Sequence, residues 1–291
     1  MQMIKMINTN DKKIGKSMLL TITTITILVG ILSGCLGNQE NNEIQTLIID
    51  GSTTVFPVIQ AEAERYMDQH LDVDIQVTGT GSSNGISGAG SGKTDIGMAS
   101  REIKASELET YPDLINTTIA IDCIAIIVNP ENLVSDLSIS QVKGIYNGTI
   151  TSWSAFGGSG DIVLVGRDSA SGTREYFYEH VMGKENFSSS MLEKNSNGLV
   201  HDTVAVNQYA IGYVGLGYVT SEVKGINLQN SQGDYIAPTL QNVKDGSYPV
   251  WRYLYLYTKG SPTGLAAQFI DFILSAQGQE IVEEEGFVPL D

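Results

Sequence analysis

The sequence predicts an α/β protein, and three observations carry that prediction. From about residue 46 onward, short β-branched apolar runs alternate with amphipathic segments of helical period. Glycine is frequent, 31 of 291 residues, so tight turns and close backbone approaches are expected. The apolar share of 42%, with 17% charged residues, is that of a soluble globular chain long enough for one large or two modest domains.

Taken in order, "TLIID" reads as a strand and "GSTTV" as a turn. "FPVIQAEAERYMDQH" reads as a helix, with Pro57 near its first turn and Ile59, Ala63 and Met67 at i, i+4 spacing. "VDIQVTG" is a second strand, followed by the polar loop "TGSSNG", a short helix over 85–91, a turn at "GKTD" and a third strand, "IGMAS". "EIKASELETYPD" reads as a surface helix, "TTIAIDCIAIIVNP" as a long buried strand, "SISQVKGIYNG" as a helix and "DIVLVGR" as a strand. "ASGTREYFYEHVMG" is a loop opening a helix, with Ser171 as N-cap and Tyr176, Phe177 and Val181 on the apolar face. "AIGYVGLGYV" is another strand region. The alternation in "PVWRYLYLYTK" points to strand packing rather than a sugar platform, and "TGLAAQFIDFILSAQGQEIVEEEG" reads as a closing helix or helix pair. No internal repeat or low-complexity tract interrupts this order.

The stretch "SGAGSGKTDIG" (87–97) resembles a nucleotide-binding P-loop, but Ser87 stands where the pattern needs its first glycine. Its "GKT" follows a helix and precedes a strand, the reverse of a P-loop, and reads as a helix stop.

Residues 1–34 form a basic region with Lys5, Lys12, Lys13 and Lys16, then an apolar run ending in "LSGC". That ending resembles a lipoprotein cleavage site, with Cys35 as the lipidated residue and 35–45 as a tether; an uncleaved anchor is the alternative. Either way the rest of the chain is expected on the outer face of the cell membrane. Removing 1–34 takes away four lysines and one aspartate, leaving 13 basic and 32 acidic residues, a net charge of −19. Such a surface repels nucleic acid, so any anion site must work by local geometry. With Cys35 lipidated, Cys123 has no disulfide partner and is expected to pack as an apolar residue. The three histidines, at 70, 180 and 201, have no metal-ligand spacing, and neither a metal nor a cofactor is expected.

Three loops share one composition: "GSTTVF" (51–56), "GTGSSNG" (79–85) and "RDSASGT" (167–173). Each follows a strand and precedes a helix. Amides at a helix N-terminus are unpaired and carry the positive end of the dipole, and hydroxyls add donors. Any one loop is explained by simple capping; three together, one with Arg167 as a bidentate fork, favour a shared anion site.

The motifs "DGSTTVFP", "GTGSSNGI", "DIGMASR", "VKGIYNGTITSW", "GRDSASGTRE", "AIGYVGLGY" and "GFVPL", in this order from about residue 46 to 291, resemble the phosphate-binding lipoproteins of the high-affinity phosphate ABC importer. The resemblance implies a type II periplasmic-binding-protein fold of two α/β lobes joined by two extended crossings, near 121–122 and 249–252. Lobe I would comprise 46–121 and 251–291, and lobe II 122–250. It implies capture of inorganic phosphate by a monomeric, non-enzymatic protein that delivers it to a membrane-embedded ABC permease.

Carried over position by position, the ligand residues are Arg167, Ser171, Gly172 and Thr173, Ser82 with its neighbour Ser83, and the Phe56 amide. Val55 stands where the family has a threonine, so Val55 offers only its backbone and Thr54 is the substitute hydroxyl. Some members place a proton-accepting aspartate where this chain reads Ser100-Arg101. Asp122 is then either the replacement acceptor or a solvated hinge residue, and Arg101 a second anion ligand or a surface charge. The alternatives are another tetrahedral oxyanion (sulfate, molybdate or tungstate), a phosphate sensor, and an esterase using Ser83 of "GSSNG" with a downstream histidine.

Overall fold

The computed structural model describes residues 43–290; the signal expected over 1–34, Cys35 and most of the tether lie outside the described residues. The first half alternates β1 (Gln45–Gly51), α1 (Phe56–Gln69), β2 (Val73–Thr78), α2 (Ser82–Ser91), β3 (Ile96–Ala99) and α3 (Ala105–Thr110). The long strand β4 (Leu114–Val128) then leads to β5 (Asp136–Leu137), α4 (Ile139–Tyr146), β6 (Val163–Arg167), α5 (Gly172–His180), β7 (Leu192–Lys194), α6 (Asn197–Ala205) and β8 (Ala210–Gly215). After β9 (Lys224–Gly225), β10 (Asn227–Gln229), β11 (Tyr235–Ile236) and α7 (Leu240–Lys244), the strand β12 (Trp251–Lys259) returns, followed by α8 (Gly264–Leu274) and α9 (Ala276–Glu284).

The main sheet runs β2-β1-β3-β12-β4-β8-β6-β7, with β9 on β4. The β1/β2, β1/β3, β6/β7 and β6/β8 pairs are parallel, whereas β12 is antiparallel to both β3 and β4. Strand β4 changes partner midway: Leu114 to Cys123 pair with β12, and Ile124 to Val128 pair with β8. One strand therefore serves two half-sheets, and β12 crosses beside it.

Each half has its own core. Leu47, Ile49, Ile59, Leu254, Phe269 and Phe287 fill the first; Ile126, Tyr146, Trp153, Phe177, Tyr213 and Tyr248 fill the second, where Cys123 packs as a free thiol. Smaller clusters lie under α2 (Ile86, Ala89, Tyr257) and under α6 (Val165, Val200, Val204), so helices cover both faces of each half-sheet. On α2 the contact is backbone to backbone: a Cβ on Gly97 would come 2.2 Å from the Gly85 carbonyl oxygen. The P-loop lookalike is indeed the helix exit. Gly92 adopts φ 73°, and the Gly92 and Lys93 amides donate back to the Ala89 and Gly88 carbonyls. Among the described residues, no helix is long and apolar enough to cross a membrane.

On α1, Glu62 is fully buried and neither carboxylate oxygen has a protein partner. Burial pushes its carboxyl up to about 9, against a weaker pull from Arg65. The folded state keeps the proton while the unfolded chain releases it near the ordinary 4.5. Its contribution to stability is therefore complete below that value and lost progressively as pH rises toward 9. Glu62→Gln, neutral at every pH, should gain stability over the parent between pH 5 and 8.5 in urea unfolding; parallel pH profiles would contradict the assignment.

Candidate functional site

The three Gly/Ser/Thr loops converge where the half-sheets meet. At the end of β1, Ser52 organises the first loop: its hydroxyl accepts from the Thr54 and Val55 amides (3.2 and 3.4 Å), and its carbonyl accepts from the Phe56 amide (3.0 Å). This leaves the Thr53 and Thr54 hydroxyls, 6% and 1% exposed, as the loop's outward chemistry. Expectation and structure part here. The Phe56 and Val55 amides serve the loop's own turn, and Thr53, passed over in the sequence, joins Thr54.

In the second loop Ser82 begins α2, its hydroxyl accepting from the Ser100 amide (3.1 Å) and lying 3.3 Å from the Ser100 hydroxyl. Both serines press on the start of α5: a Cβ on Gly172 would come 2.3 Å from Ser82 Oγ and 2.9 Å from Ser100 Oγ. Ser83 spans the halves differently, its amide donating to the Ala170 carbonyl (3.1 Å).

The third loop leaves β6 at Arg167. Ser171 caps α5 as expected, accepting from the Arg174 amide (3.2 Å). Its hydroxyl accepts there as a cap and keeps its own proton to donate, while the first amides of α5, at Gly172 and Thr173, have no intrahelical acceptor. Arg167 is 1% exposed; its Nη2 donates to Thr53 Oγ1 (3.0 Å) and the Asn195 carbonyl (3.1 Å), and its Nε to the Lys194 carbonyl (3.3 Å). Burial lowers its guanidinium to about 10, and the neighbouring Arg252 charge adds to that, yet it remains a cation at neutral pH.

Two further residues complete the cluster. Arg252 of β12 lies opposite Asp122 of β4, and its Nε and Nη2 donate to Asp122 Oδ2 (3.0 and 2.7 Å). The same Nη2 reaches Thr173 Oγ1 (3.1 Å) and Thr54 Oγ1 (3.4 Å), which are 3.0 Å from each other. Asn197, at the start of α6, donates to Thr54 Oγ1 (2.9 Å) and Thr53 Oγ1 (3.2 Å). Asp122 is neither solvated nor free: its Oδ1 accepts the Leu216 amide (2.8 Å). Burial pushes its carboxyl up while Arg252 pulls it down. With three donors on it, Asp122 is the counter-ion that orients Arg252.

Arg101 stands apart from this network. Its fork is closed on Glu107 (2.6 and 2.7 Å), with a further bond to Ser83 Oγ (3.0 Å). Glu107 is held low by that same fork, against its partial burial. The geometry assigns Arg101 to bracing α3 against α2, and it places Ser83 with Arg101 rather than with a histidine.

Two buried arginines against one buried carboxylate leave an excess positive charge in the cluster, which is costly unless an anion compensates it. Arg167 Nη1, Arg252 Nη1 and Asn197 Oδ1 are all buried without a protein partner. Such a set of hydroxyls, helix-start amides and two guanidinium groups suits a small oxyanion.

A bilobed α/β fold with a buried, polar, positively charged junction defines a substrate-binding protein. A family model, the PBP superfamily domain, matches residues 37–277. The phosphate-binding protein PstS of Bacillus subtilis is 34% identical over 254 residues, covering 86% of this chain and 83% of that one; its Pseudomonas aeruginosa counterpart is 31% identical, covering 82% and 81%. A Clostridium perfringens substrate-binding protein solved with bound phosphate superposes with TM-score 0.79 at 37% identity, covering 85% of this chain and all of that one. A phosphate transport receptor of the ABC type from Vibrio cholerae gives TM-score 0.68 at 32% identity, with 84% and 100% covered. The chain belongs to the phosphate-binding protein family of the PBP superfamily. It is accordingly a binding protein and not an enzyme, which removes the Ser83 esterase alternative.

Proposed function

We propose that the protein captures inorganic phosphate at this junction and presents it to an ABC permease, as a monomer held to the outer face of the cell membrane by lipid on Cys35. The observation that carries the reading is the excess of buried donors and positive charge at a seam to which both halves contribute. Lobe I, 46–121 with 251–291, supplies Thr53, Thr54, Ser82 and Arg252. Lobe II, 122–250, supplies Arg167, Gly172, Thr173 and Asn197, together with Asp122 at the crossing.

The anion would lie against the free Nη1 groups of Arg167 and Arg252, the Thr54 and Thr173 hydroxyls and the first amides of α5. Bonds between the lobes already hold the closed form, including Tyr218 OH to the Thr53 carbonyl (2.7 Å) and the Lys104–Glu175 ion pair (2.9 Å). An anion that touches donors of both lobes favours this closed arrangement over an open one by its differential contacts. Calorimetric titration of the purified protein with phosphate and with sulfate at neutral pH tests the reading. Phosphate should bind at least about 100-fold more tightly than sulfate, because a buried polar site rejects a partner that leaves one of its groups unpaired. Equal affinities would contradict it.

A further inference from the structure

Lone-pair counting in the cluster exposes a problem that phosphate poses and sulfate does not. Thr53 Oγ1 accepts from Arg167 Nη2 and from Asn197 Nδ2, so both its lone pairs are filled and its proton is left to donate. Thr54 and Thr173 Oγ1 likewise receive N–H groups from Asn197 and Arg252. With the arginine forks and the α5 amides, nearly every group offered to a ligand is a donor. An all-donor lining fits a fully ionised tetrahedral anion. Hydrogen phosphate carries a P–O–H, and that proton needs an acceptor. Asp122 is taken by Arg252 and the Leu216 amide.

Among the buried side-chain atoms without a partner, those in this cluster are Arg167 Nη1, Arg252 Nη1 and Asn197 Oδ1, and only the last is an acceptor. Asn197 is fully buried, with Nδ2 directed at the two threonine hydroxyls and Oδ1 the end left over. Building on the phosphate reading, we infer that Asn197 Oδ1 accepts the phosphate proton and is the residue that discriminates against sulfate. Against that carbonyl a sulfate oxygen would set lone pair against lone pair, with no hydrogen between them. A neutral acceptor does this without cancelling the positive charge that draws the anion in.

The test is calorimetric titration of the parent, Asn197→Leu and Asn197→Asp with inorganic phosphate and sulfate. Asn197→Leu, similar in size but without an acceptor, should lower the phosphate-to-sulfate preference by about tenfold or more. Asn197→Asp keeps an acceptor but adds a negative charge and loses the Nδ2 donors, so it should weaken binding of both anions while retaining the preference for phosphate. A Leu variant with the parent's preference would overturn the inference. So would an Asp variant that binds sulfate as tightly as phosphate, since an acceptor at this position would then not discriminate between them. If Asn197→Leu does not fold, the Asp variant alone decides. Equal parent affinities for the two anions refute the phosphate reading itself; a selective parent with an equally selective Leu variant refutes only the role of Asn197.

Discussion

Arg167→Ala should weaken phosphate binding by about 100-fold or more, since a desolvated charge-assisted contact of this kind is worth roughly 3 kcal/mol. Arg167 ends β6 with its fork fixed by the Lys194 and Asn195 carbonyls and by Thr53, so Nη1 is presented with little freedom left to lose. That preorganisation is why the loss should appear in affinity and not be recovered by a neighbouring cation. Arg167→Lys keeps the charge but not the fork, and should restore only part of the binding. Calorimetry of the two variants checks this. An Ala variant within about fivefold of the parent would remove Arg167 from the site.

Asp122→Ala should be the most destabilising single change at the junction, costing about 3–5 kcal/mol in urea unfolding. The pair sits at 0% and 1% side-chain exposure, and removing the carboxylate strands the Arg252 cation beside Arg167. The double variant Asp122→Leu with Arg252→Met removes both charges and should recover most of that loss. It should still bind phosphate poorly, because Arg252 Nη1 is gone. A double variant no more stable than Asp122→Ala alone would show that packing, not an unpaired charge, sets the cost.

The three loops were legible because their composition and their place between strand and helix state the chemistry directly. Thr54, Ser82, Arg167, Gly172 and Thr173 all come to the junction from that reading. Arg252 was hidden in an aromatic run. Yet the alternation of β12 places it on the inward face with Leu254 and Leu256, and a charge at an inward position was the available signal. Asn197 lay in a stretch read without a helix, although Ser196 caps α6 and Val200 and Val204 follow at i, i+4. Arg101 looked like a ligand because it follows β3 at the site, but Glu107, in the first turn of α3, claims its fork. Which of several cations a carboxylate claims depends on how loops fold back, and periodicity does not record that. The same holds for Asp122, whose partner lies 130 residues away and meets it only where β4 and β12 cross.

On the proposed reading, one tetrahedral anion is held between the lobes by this cluster. Arsenate is a heavier homologue of phosphate that also carries a proton at neutral pH and scatters X-rays anomalously. A crystal of the protein grown with arsenate should show a single strong arsenic peak at the junction, with the arsenate oxygens within hydrogen-bond reach of Arg167 Nη1, Arg252 Nη1 and Asn197 Oδ1. An arsenic site elsewhere, or a junction filled only by water at saturating arsenate, would contradict it.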